Sequence, residues 1–160
     1  MSKISAGSPP LSVPRAGEGK RGKSGHLAYL LRQAAGAVRL RMERAFADLQ
    51  ITTAQFVVMT MLDAYPHASG ADLARLALLT PQTVHGITSN LLRAGLISRA
   101  PSTVHGRIQS LALTGAGRKL LAECKARVAF LERGLTADLT GQEEEMIRKW
   151  LVRLTLPDVE

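Results

Sequence analysis

From His26 onward, apolar residues return at steps of three and four. Leu27, Leu31, Ala34, Val38, Met42 and Phe46 form the first such stripe and predict a helix down to about Leu49. Arg32, Arg39, Arg41 and Arg44 lie among them. The next segment, ITTAQFVVMTMLDAY, is apolar nearly all round through Phe56, Val57, Val58, Met59, Met61 and Leu62, which predicts a buried second helix. Thr52 and Gln55 stand at its start with the spacing of a capping box, which satisfies exposed amides at a helix beginning. Pro66 stops it. Ser69 and Asp72 repeat the capping spacing before a short third helix in ADLARLALL. Thr80 as N-cap and Pro81 at the first helical position open a fourth helix, and Gly95 ends it.

After Gly95 the period changes. LISRAP and RIQSLALT are short and β-prone, and they flank the turn-like STVHG, which predicts a small hairpin. Thr114 can cap a fifth helix with the apolar stripe Leu120, Leu121, Cys124, Val128, Leu131 and Leu135. Thr140 opens a last helix, with Gln142 to Glu145 in its first turn and Arg148, Lys149 and Arg153 towards its end, an order that suits the helix dipole. Residues 1–25 are rich in Ser, Gly, Pro and Lys/Arg and read as a disordered basic tail. The fold class expected is mainly α with a small β-hairpin.

Composition agrees. Apolar residues make up 46% of the 160, enough for a sizeable core, while aromatics at 4% favour a helical core of Leu, Ala, Val and Met over a β-sandwich. The net charge of +8 points to a polyanionic partner. Half of it lies in residues 1–23, where five basic residues and one acid give +4; the rest of the chain holds 16 and 12. That segment is either a solubilising extension or an arm that meets phosphates. A single cysteine, Cys124, leaves no disulfide framework and suits a reducing compartment. With no apolar run of membrane-spanning length and no secretory leader, the expectation is a soluble cytoplasmic protein with no membrane partner.

The fourth helix carries the chemistry. At roughly 100° per residue, Val84, Ile87, Leu91 and Leu92 share one sector and Gln82, His85, Gly86, Ser89, Asn90 and Arg93 the opposite one, with Thr83 near its edge. Gln and Asn can pair with adenine edges, Arg with guanine, and Ser and Thr with bases or phosphates. Residues 73–122 contain no acid, but they hold Arg75, Arg93, Arg99, Arg107, Arg118 and Lys119. A short helix, a tight connection, a second helix with this face and then a hairpin is the order of a winged helix-turn-helix, whose second helix enters the major groove. The hairpin tip would bring His105 and Arg107 to the backbone or minor groove. Gly86 either permits close approach to DNA or is merely tolerated.

The block DLARLALLTPQTVHGITSNLLRAGLISRAPSTVHGRIQSLALTGAGRKLL resembles the winged helix-turn-helix of the MarR family of bacterial transcriptional regulators, and ITTAQFVVM resembles that family's second helix. The resemblance covers about residues 26–155 and is most specific in HGRIQSLALTGAGR. It implies a homodimer whose body would be residues 26–48 and 115–155, with a lobe at about 52–114 reading a pseudo-palindromic double-stranded operator. It also implies a repressor released by a small aromatic or phenolic ligand. DNA contacts are then expected from Thr80, Pro81, Gln82, Thr83, His85, Ser89, Asn90 and Arg93, with Arg99, His105 and Arg107 from the wing. Two positions depart from the family. His105 stands where a wing aspartate is common, so the ion pair by which that aspartate would hold the wing is not expected. Leu78 stands where glycine is common, so a turn of a different type is expected there.

Dimerisation has its own argument. The stripes of the first and fifth helices, with Ile147, Trp150, Leu151 and Leu154, offer more apolar helix than a small lobe can cover. For the effector, His26, Tyr29, Arg32, Phe56, Met59 and Met61 are candidates, a set that would suit an aromatic carboxylate. Three other readings compete. A redox sensor would use Cys124, which the pattern instead places on a buried stripe. A non-specific architectural DNA binder would not need the Gln82, Ser89 and Asn90 face. An enzyme lacks support: His26, His67, His85 and His105 have no metal-ligand spacing, and there is no phosphate-cradling loop or nucleophile elbow. No cofactor or metal is expected.

Overall fold

Side-chain caps set the starts of five of the described helices. The computed structural model describes residues 13–66, 68–100 and 110–156. Its elements are α1 (Leu27–Ala45), α2 (Thr53–Ala64), α3 (Gly70–Leu76), α4 (Pro81–Arg93), β1 (Ile97–Ala100), β2 (Ser110–Leu113), α5 (Gly115–Thr136) and α6 (Gly141–Arg153). The Thr52 hydroxyl accepts from the Gln55 amide at 3.2 Å, and the Gln55 side chain accepts from the Thr52 amide at 2.8 Å. Ser69 and Asp72 make the same reciprocal pair, as do Thr140 and Glu143. Thr80 and Thr114 cap α4 and α5 through the amides of Thr83 and Gly117. Each such cap stabilises its helix by about 1 kcal/mol.

The chain divides into two units, residues 1–40 and residues 41–160. Within the first, residues 13–25, expected as part of an unstructured tail, make a hook around a 3-10 turn at Gly19–Arg21. The Arg21 guanidinium donates to the Pro14 carbonyl at 2.8 Å and to the Gln33 side chain of α1 at 3.0 Å. α1 buries none of its residues. It ends at Ala45 rather than near Leu49: the Phe46 amide still donates to the Met42 carbonyl, but the following bonds, Ala47 to Arg44 and Leu49 to Phe46, span three residues, and Phe46 is buried in the core of the second unit.

In that core the Phe46 and Phe56 rings lie 5.2 Å apart and tilted by 51°. Around them pack Val58, Met59 and Leu62 of α2, Leu73 and Ala74 of α3, Val84, Ile87 and Leu91 of α4, Ile97 and Leu113 of the sheet, and Leu121 and Cys124 of α5. Removing a ring such as Phe46 from such a core costs about 3–5 kcal/mol. β1 and β2 pair antiparallel, with Ile97 opposite Leu113 and Arg99 opposite Leu111. Residues 101–109, which include the expected turn STVHG, lie outside the described residues.

Both helices of the α3–α4 pair end in the same turn. At the end of α4 the Gly95 amide donates to Leu92 and the Leu96 amide to Leu91, with Gly95 at φ +69°. At the end of α3 the Leu78 amide donates to Arg75 and the Leu79 amide to Ala74, with Leu78 at φ +53°. This is the Schellman arrangement, in which the left-handed position is usually glycine. The turn holding Leu78 is therefore of the ordinary type, and a leucine there costs roughly 1–2 kcal/mol in backbone strain. At the other junction Thr114 donates to the Gly95 carbonyl at 2.7 Å, and α5 passes so close that a Cβ on Gly117 would lie 1.9 Å from the Leu96 carbonyl oxygen.

Candidate nucleic-acid interface

α4 is held by one side and offered by the other. Val84, Ile87 and Leu91 are buried and Leu92 is half-buried, as the periodicity predicts. Thr88 is also buried, which the wheel did not single out. Its hydroxyl donates to the Val84 carbonyl at 2.9 Å and so needs no outside partner. With α2 and α3 packed on this side, the helix cannot roll without breaking the core.

The opposite side bears Gln82, Thr83, His85, Gly86, Asn90 and Arg93, all exposed, with Ser89 half-buried among them. Thr80 and Pro81 are exposed at the N-terminal end. The Thr80 and Thr83 hydroxyls share a hydrogen bond at 2.8 Å, and the Arg93 guanidinium donates to the Asn90 side chain at 3.3 Å. The structure thus brings seven of the eleven expected DNA contacts onto α4, with an eighth, Thr80, as its N-cap. The dipole of α4 adds a partial positive charge at this end. Arg99 is exposed on β1, while His105 and Arg107 lie outside the described residues.

The flanking charge differs from the sequence count in one respect. Arg75 is paired with Asp72 at 2.6 Å, an acid just before the acid-free run. The Asp72 carboxyl is drawn down to a pKa of about 2, first by the Ser69 hydroxyl and then by Arg75. Arg75 is therefore partly committed within α3, which leaves Arg93 on the offered face and Arg99 on β1 as the exposed cations between residues 76 and 100.

The expected effector residues fall in different surroundings. In the first unit, His26 is exposed, and Tyr29 and Arg32 line a groove of about 1000 Å³ with Arg21, Gln33 and Arg39. In the second unit, Phe56 and Met59 are buried core residues and Met61 packs against them. Sequence reasoning missed a second groove, of about 750 Å³, between the end of α1 and the middle of α5. Its walls include Arg41, Arg44, Arg127, Phe130, Leu131 and Arg133. The Phe130 ring is 70% exposed and lies 5.6 Å from the Arg133 guanidinium. Arg127 is anchored there by the Ala45 carbonyl, Asp48 and Glu123. Arg127 in turn holds the Asp48 carboxyl below its usual range.

Cys124 has no exposed surface, and burial and the neighbouring Glu123 push its thiol pKa up. Neither property suits a reactive thiolate. Among the described residues, no helix is long and apolar enough to cross a membrane, and no three His, Cys, Asp or Glu side chains are placed to hold a metal.

Comparison with known proteins places this geometry. A model of the MarR family matches residues 49–108. The HTH-type transcriptional repressors Rv2887 of Mycobacterium tuberculosis and Mb2911 of Mycobacterium bovis are each 32% identical over 128 residues, covering 80% of this chain and 92% of theirs. The solved structure of Mycobacterium tuberculosis MarR family protein Rv2887 with salicylic acid is 31% identical, with a TM-score of 0.66, over 82% of this chain and 98% of that one. The transcriptional repressor CouR, solved on a 23-mer DNA duplex, is 29% identical with a TM-score of 0.76, over 83% and 94%.

Proposed function

The chain belongs to the MarR family, and from that premise we propose that it is a homodimeric, sequence-specific DNA-binding repressor that a small aromatic acid releases from its operator. The observation that carries this reading is the offered face of α4. It presents directional hydrogen-bonding groups and one cation on a helix that the core holds still, an arrangement suited to choosing bases rather than supplying bulk affinity. Thr80, Pro81, Gln82, Thr83, His85, Ser89, Asn90 and Arg93 make the major-groove contacts. Arg99, His105 and Arg107 make the wing contacts. The subdivision into a body (26–48 and 115–155) and a lobe (about 52–114) belongs to the same proposal, as does action in the cytoplasm. The reading assigns binding, not catalysis.

Two surface features support the remaining parts. α6 buries none of its residues, and Leu135, Met146, Ile147, Leu151, Val152 and Leu154 of α5, α6 and the turn after it are exposed, which a second copy would cover. The groove at Arg44 and Phe130 offers a carboxylate an arginine rim and an aromatic ring an apolar wall. We place the aromatic acid there, since Phe56 and Met59 have little or no surface to offer, with Tyr29 and Arg32 kept as further candidate contacts. The test is base preference measured on the full chain. Gln82→Ala and Asn90→Ala relax selectivity at single positions, by roughly tenfold. Arg107→Ala weakens binding to all sequences alike and lowers the salt slope by about one. Equal loss on every sequence for all three variants would remove α4 as the reader of bases.

A further inference from the structure

Leu78 occupies a position that the fold alone does not explain. It is 90% exposed, the most exposed of the large apolar residues described, and its backbone is left-handed at φ +53°. The chain solves the same structural problem at the end of α4 with Gly95, in the same hydrogen-bonded turn. The other non-glycine residue described with a positive φ, Gln50, is polar. At Leu78 a glycine would relieve the backbone and remove an exposed isobutyl group together. The residue is therefore doubly unfavourable in the isolated protein, and such outliers point to a use.

The position indicates the use. Leu79 turns inward and packs against the core, and Thr80 caps α4. Leu78 thus precedes the cap by two residues, within about 8 Å along the chain, at the end of α4 that leads into the groove when such a helix reads DNA. The bonds from the Leu78 and Leu79 amides to the Arg75 and Ala74 carbonyls fix its backbone, so the side chain is presented from a rigid turn rather than a loose loop. In the major groove the apolar feature available to a leucine is the C5-methyl of thymine.

We propose that Leu78 is a specificity-determining residue that reads a thymine methyl at the border of the bases read by α4. The inference rests on the DNA-binding reading above, and the experiment separates the two. The full-length wild-type chain is used to enrich duplexes from a random-sequence pool. The best duplex is then scanned by replacing each thymine with deoxyuridine, which removes only the methyl group. Wild type, Leu78→Gly and Leu78→Asn are compared; both substitutions suit a left-handed backbone.

The expected result is one thymine per half-site whose replacement weakens wild type three- to tenfold and either variant less than twofold, while both variants keep or raise the Tm. Identical deoxyuridine profiles for all three proteins overturn the Leu78 assignment and leave the DNA reading standing. A change in oligomeric state on substitution, with unaltered profiles, also overturns it and makes Leu78 a protein contact. Failure of wild type to enrich any sequence overturns the DNA reading itself, and the Leu78 assignment with it.

Discussion

Gly86→Ala should make this protein more stable and a worse DNA binder. Gly86 lies in the interior of α4, exposed, on the same side as Gln82, Ser89 and Asn90. A Cβ built there meets nothing within 4 Å, so the fold places no steric demand for glycine. Glycine in a helix interior is roughly 1 kcal/mol worse than alanine, because it loses more backbone entropy on folding. Alanine should recover about that amount, a rise in Tm of about 2–4 °C for a chain of this size. If the missing side chain exists to let DNA approach the helix backbone, the added methyl should weaken operator binding about tenfold, roughly 1.4 kcal/mol. Differential scanning fluorimetry gives the first quantity and fluorescence anisotropy on a labelled operator the second. An affinity unchanged within twofold would refute close approach at Gly86 and leave the glycine as merely tolerated. A Tm that falls would refute the claim that the position is sterically free.

Other perturbations probe the frame around α4. Gly117→Ala should cost about 2–3 kcal/mol, seen as a lower urea midpoint, because its Cβ would collide with the Leu96 backbone carbonyl; an unchanged midpoint would mean the α4–α5 junction is looser than described. Stability should fall as pH drops from about 4 towards 2, since the folded Asp72 carboxyl titrates at about 2 and ordinary aspartate near 3.9. Protonation then favours the unfolded chain, and the lowered Glu143 acts in the same direction. Asp72→Asn should flatten part of that acid limb in a denaturation series; an unaltered limb would remove Asp72 as a contributor. Native Cys124 should react with a thiol reagent only at the rate of opening, given its full burial and raised pKa; rapid labelling at neutral pH would revive a redox role.

What was legible in the sequence was local. The caps at Thr52, Ser69, Thr80, Thr114 and Thr140 place five helix starts, because an N-cap and its partner amide lie three residues apart. The two-sided character of α4 was legible for the same reason, since helical period alone separates Val84 from Gln82. What escaped needed contacts distant in sequence or a backbone angle. Arg127 binds Asp48 across 79 residues of separation, so the anchored groove at Phe130 leaves no local signature. Helical period puts Thr88 in the same sector as Val84 and Leu92, but a hydroxyl does not read as core; the internal bond to the Val84 carbonyl that lets it be buried is visible only in the structure. The end of α1 was placed too late because the apolar pattern runs on through Phe46 and Leu49, whereas the backbone bonds shorten to three residues from Ala47 onward. Leu78 was visible as a departure from glycine, but only the structure shows that it keeps the left-handed turn.

The central claim is that a core-locked α4 chooses a DNA sequence. The most direct test is the ratio of affinities of the full-length protein for its selected duplex and for random duplex, measured by competition near physiological salt. The account predicts a ratio on the order of 10³ or more, collapsing when Gln82 and Asn90 are both replaced by alanine. A ratio near one, or a large ratio that survives the double replacement, would contradict it.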